Sequence, residues 1–96
     1  MPTYVVYCFG PPSELKIKVD DFVRVDGWQN EESILAKEIT NPARNGPTCK
    51  CGDPQAIRES SGLPKFVTVK GYVTRITYSD PVAFEIQAKE PARLLR

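Results

Sequence analysis

The chain has 96 residues, 41% hydrophobic and 26% charged, the make-up of one small globular domain over 1–96 rather than of a disordered tail. Its formal net charge of +1 names no partner class, although residues 1–40 carry four Lys/Arg against seven Asp/Glu and residues 41–96 carry nine against five, a split that can mark an anion-binding half. There is no histidine, which removes Ser-His and Cys-His nucleophile pairs and His-carboxylate metal sites, and the glycines form no phosphate-cradling loop, so a non-catalytic role is expected.

The opening Met-Pro-Thr-Tyr-Val-Val-Tyr lacks a basic region before a long apolar run, and no apolar stretch reaches about 18 residues. Neither a signal peptide nor a membrane span is expected. Three cysteines cannot all pair within one chain, and no Asn-X-Ser/Thr acceptor occurs, which favours a reducing, cytoplasmic setting.

In chain order, the β-branched and aromatic run 3–9 leaves no polar face and predicts a central strand, ended by Gly10-Pro11-Pro12-Ser13. Leu15, Ile17 and Val19 alternate with Lys16 and Lys18, predicting a half-exposed strand that forms a hairpin with the first. Residues 22–25 predict a short third strand ended by Asp26-Gly27, after which Trp28 is either a core plug or an exposed anchor. Over about 30–40, Asn30 suits an N-cap, Glu31 and Glu32 suit a first helical turn, and Ile34, Leu35 and Ile39 offer an apolar stripe, so a helix is predicted, stopped by Asn41-Pro42. Residues 40–54 lack periodicity and predict a long irregular loop; 55–60 suit one helical turn.

The longest pattern is 65–88. Val67, Val69 and Val73 share one face, and Phe66, Thr68, Lys70, Tyr72 and Thr74 the other. Ile76 and Tyr78 then fall on the wrong parity, which predicts a bulge or sharp bend between Gly71 and Arg75. A straight strand of this length would span about 50 Å, against a radius of gyration near 12–13 Å for a compact chain of this size, so the ribbon must curl. A tight turn at 78–81 leads into a return strand whose Val82, Phe84, Ile86 and Ala88 face the core. The tail 92–96 either docks by its leucines or frays. Together these elements predict an α+β, β-rich fold: about five strands in a strongly curled sheet or small, partly open barrel, with one helix.

Two constellations carry chemistry. Phe66, Lys70 and Tyr72, flanked by Lys65 and Arg75, interleave rings with cations as single-stranded nucleic-acid platforms do, and Arg44, Lys50 and Arg58 would extend the set if they lie on the same side. The competing reading is ordinary sheet packing, with both faces of the strand covered. A binding or regulatory domain follows, with single-stranded nucleic acid or another protein as partner, and no cofactor. The alternative is a zinc-stabilised protein-interaction module with Cys8, Cys49, Cys51 and Asp53 as ligands, although the spacing Cys-X-Cys and the missing histidine depart from the usual knuckle.

Overall fold

A computed structural model describes residues 1–42, 48–52 and 65–95. Seven strands follow in order: β1 (Thr3–Cys8), β2 (Phe22–Asn30), β3 (Ser33–Thr40), β4 (Cys49–Lys50), β5 (Lys65–Thr77), β6 (Val82–Ala88) and β7 (Arg93–Leu94). Five of them run β1-β6-β5-β2-β3 through antiparallel pairings, and a parallel pairing of β1 with β3 closes the ring. The result is a closed five-stranded barrel rather than the partly open one expected, and closure removes the free edges an open sheet would present. The Cα radius of gyration is 12.0 Å.

The organising strand is β5. Its first half pairs with β2 and its second half with β6, so it belongs to both walls of the barrel. The parity slip read from the sequence is a bulge: Val73 opposes Ile86 and Arg75 opposes Glu85, leaving Thr74 as the extra residue. Thr74 Oγ1 donates to the Glu85 carboxylate at 3.2 Å. Gly71 sits where the two walls meet; a Cβ there would lie 2.6 Å from the Gln87 carbonyl oxygen, too close for any side chain without movement of the backbone. On β6 the predicted inward set Val82, Phe84, Ile86 and Ala88 is buried, and Val6, Val25, Ile34 and Val69 meet it from the other strands.

The predicted helix over 30–40 is a correction. Asn30 pairs with Ser33 across the two-residue turn Glu31-Glu32, with Glu31 at φ 57°, and residues 33–40 form β3. The side chain of Gln29 donates to the Glu31 carbonyl at 2.8 Å and braces that turn. The acids read as a first helical turn are a hairpin tip, and Ile34-Leu35-Ala36 is the continuous apolar run of a strand that pairs on both edges, with β1 and with β2. Nor does β2 end at Asp26-Gly27. It continues to Asn30 past a bulge at which Asp26 opposes Glu38, Gly27 opposes Ala36, and Lys37 is extra.

Residues 15–18 are not a strand, a second correction. They belong to the crossing from β1 to β2, and β1 pairs with β6 and β3 instead. Ile17 is 1% exposed and joins the core from this crossing. A buried polar knot fixes it: Asn41 Nδ2 donates to the Lys16 carbonyl and to Asp21 Oδ2, both at 2.9 Å, and Lys18 N–H donates to the same carboxylate oxygen at 3.0 Å. Backbone bonds between Asp20, Asp21 and Val73 pin the crossing to β5 just before its bulge.

Candidate nucleic-acid interface

Because side chains alternate along a strand, the even-numbered residues of β5 up to the bulge point out of the barrel, and the pairing sets each against an even-numbered residue of β2. Four rungs result. Tyr72 opposes Phe22, Lys70 opposes Arg24, Thr68 opposes Asp26, and Phe66 opposes Trp28. At one end the rings of Phe22 and Tyr72 lie 4.9 Å apart at an interplanar angle of 60°, and both are exposed, at 39% and 46%. At the other end Trp28 meets Phe66 edge-on at 5.1 Å, and Lys37 Nζ lies 5.8 Å from the centre of the Phe66 ring. The first ring pair is open to a flat ligand; in the second, Phe66 is half-buried and covered by its neighbours.

Beyond β6 the chain bends through residues 89–92 and returns as β7, which pairs with β5 at Val67 and Thr68. This return raises a wall beside the outward face. Between wall and face lies a groove of about 350 Å³ lined by Arg24, Lys70, Lys89 and Arg93, with one acid, Glu90, and with Phe22 and Thr68. Arg24 Nε contacts Asp26 Oδ1 at 3.2 Å, a contact that leaves its four Nη donors uncommitted among the described residues. Lys70, Lys89 and Arg93 make no ion pair among the described residues. A larger cleft of about 710 Å³ lies between residues 13–19 and Ile76 and Tyr78. It offers two cations, Lys16 and Lys18, and its one ring is engaged through the Tyr78 hydroxyl, which donates to the Ile17 carbonyl.

The residues anticipated from sequence are thus divided. Lys70 and Tyr72 stand on the outward face beside the groove, and Phe66 belongs to the same face at its covered end. Lys65 is exposed where β5 begins, opposite Gln29. Arg75 lies beyond the bulge, opposite Glu85 on the other wall. Lys50 is on β4 opposite Glu38, so the rung Glu38–Asp26 separates it from the groove. Arg44 and Arg58 lie outside the described residues. Phe22, Arg24, Lys89 and Arg93 are members of the site that sequence reasoning missed; for Phe22 and Arg24 the signal was their shared parity in the 22–25 run.

The cysteines take up different roles. Cys8 and Cys51 form a disulfide, with Cα atoms 5.2 Å apart. Cys51 N–H also donates to the Lys37 carbonyl at 3.0 Å, and Gly52 N–H to the Phe9 carbonyl, so this segment bridges β3 and β1 past the end of their parallel pairing at Tyr7–Leu35. Two thiolates of the anticipated zinc set are therefore consumed in a covalent bond, and Asp53 lies outside the described residues. Among the described residues no three His, Cys, Asp or Glu side chains cluster as a metal site.

Cys49 is buried and outside the disulfide. Burial and, secondarily, the Glu14 carboxylate push its thiol pKa up. The thiolate is the reactive form, so the raised pKa and the cover act together. Native protein at neutral pH is expected to alkylate at Cys49 at least about tenfold more slowly than urea-unfolded protein; mass spectrometry of timed iodoacetamide reactions checks this, and equal rates would contradict the burial.

Comparisons of the chain with protein-family models, curated proteins and solved structures find no match. Among the described residues no helix is long and apolar enough to cross a membrane.

Proposed function

We propose that this domain is a non-catalytic binding module that takes single-stranded nucleic acid on the outward face of β2 and β5. The observation that carries the reading is the exposed Phe22–Tyr72 ring pair standing one rung from Arg24 and Lys70. Rings offer a stacking surface to any base and the neighbouring cations follow the backbone phosphates, which gives sequence-tolerant, salt-sensitive affinity. An enzyme reading has no comparable support: the groove brings together four cations, one ring and a single carboxylate, Glu90.

Fluorescence anisotropy of a labelled oligothymidylate tests the proposal. Loss of one stacking ring is worth about 1–3 kcal/mol, so Tyr72→Ala is expected to bind roughly 5- to 150-fold more weakly than wild type. Equal binding by the two proteins, or no binding at any salt concentration, removes the reading. The cytoplasmic setting expected from the odd cysteine count is tested separately: a reducing compartment would open the Cys8–Cys51 bond, and alkylation at the moment of cell lysis counts the free thiols directly.

A further inference from the structure

The barrel keeps an arrangement that costs stability. Arg24 and Lys70 are directly opposite each other across the β2–β5 pair, and like charges so placed repel. The acidic rung beside them, Asp26 opposite Glu38, is relieved on both sides, by Arg24 at 3.2 Å and by Lys50 across the next strand pair. The cationic rung is not relieved to the same extent. Among the described residues its one ion pair is Arg24–Asp26, and the returning chain adds Lys89 and Arg93 to the same groove against the single carboxylate of Glu90. Thr68, in the floor of the groove, has an Oγ1 that is buried and makes no hydrogen bond among the described residues. Four cations line about 350 Å³ against the carboxylates of Glu90 and, through Arg24, Asp26, so charged donors outnumber the acceptors among the described residues.

We infer that the groove between β5 and residues 89–93 is a phosphate subsite, with Arg24, Lys70, Lys89 and Arg93 neutralising the anion. The inference takes its ligand class from the nucleic-acid reading, in which Tyr72 and Phe22 stack the base next to the phosphate held here. A lone oxyanion and a strand phosphate share the chemistry that the groove recognises, so the probes must separate them.

Three ligands are titrated into wild type, Lys70→Gln, Arg93→Gln and Tyr72→Ala: an oligothymidylate, the same oligomer with neutral methylphosphonate linkages, and inorganic pyrophosphate. Lys70→Gln and Arg93→Gln are each expected to weaken the oligothymidylate about tenfold and to make the slope of log affinity against log salt shallower by about 0.7. The neutral oligomer is expected to bind weakly to every protein and to be indifferent to both groove substitutions. Ligand-free Lys70→Gln is expected to melt roughly 1–5 °C higher than wild type, because a like-charge pair has been relieved. That readout shows that the variant is folded and that the repulsion was real.

Oligothymidylate binding that drops in Tyr72→Ala and is untouched in Lys70→Gln and Arg93→Gln would overturn the phosphate subsite and leave the nucleic-acid reading standing. Pyrophosphate binding that both groove variants lose, with no oligonucleotide bound, would uphold an oxyanion subsite and overturn the nucleic-acid reading. Binding of neither probe overturns both.

Discussion

Opening the Cys8–Cys51 bond, by reductant or by Cys51→Ser, is expected to destabilise the domain by about 2–4 kcal/mol, a drop in melting temperature of roughly 10–25 °C for a chain of this size. The bond links residues 43 positions apart, so it removes many open conformations from the unfolded chain. It also sits where the barrel needs a tie. The parallel pairing of β1 and β3 ends at Tyr7–Leu35, and the segment carrying Cys51 is held there by one hydrogen bond to Lys37 of β3, one to Phe9 just past β1, and the disulfide. Urea titrations with and without reductant measure the loss. Cys49→Ala, which leaves the bond intact, should show the same response to reductant as wild type. A reductant effect below about 0.5 kcal/mol would contradict the pairing. The thiol count must agree: unfolded, unreduced protein should expose one thiol, and three after reduction.

Gly27→Ala is expected to cost about 3 kcal/mol or more, because overpacking against a rigid neighbour cannot relax through a rotamer. A Cβ at this position would lie 2.2 Å from the Leu35 carbonyl oxygen and 2.8 Å from the Ala36 Cα, both backbone atoms of β3. The close approach arises at the bulge, where β3 carries Lys37 as an extra residue opposite Asp26 and Gly27. Any relief must part the two strands, and that pairing also sets Trp28 against Leu35 and so holds the base of the outward face. Denaturant unfolding of the single variant measures the cost, and a value under about 1 kcal/mol would mean that the strands do not approach each other as described.

What could be read from the sequence was local and periodic. The β5–β6 hairpin, its turn, its bulge and its inward residues all follow from alternation and one parity slip, which need no knowledge of the partner strands. The stretch over 30–40 reads as a helix because Ile34, Leu35 and Ile39 satisfy a helical stripe as well as a buried strand, and the deciding fact is non-local: β3 has a strand on each edge. Leu15, Ile17 and Val19 alternate as a strand should, yet no partner strand lies alongside among the described residues; Ile17 is buried and Val19 is 51% exposed. The candidate site divides in the same way. Lys70 and Tyr72 were visible as one face of one strand. Phe22 and Arg24 join them only through the β2–β5 register, and Lys89 and Arg93 only through the return of the chain along β5. The disulfide was hidden because spacing along the chain does not reveal that Cys8, at the end of β1, and Cys51, just past β4, meet beside β3.

The most direct test of where the domain binds is a chemical-shift map of isotope-labelled protein titrated with a short oligothymidylate. The largest changes are expected at Phe22, Arg24, Thr68, Lys70 and Tyr72, with Lys89 and Arg93 following and with Lys50 and Arg75 unmoved. Changes centred on the opposite wall, around Val5 and Glu85, or a spectrum that does not change at all, would contradict the account.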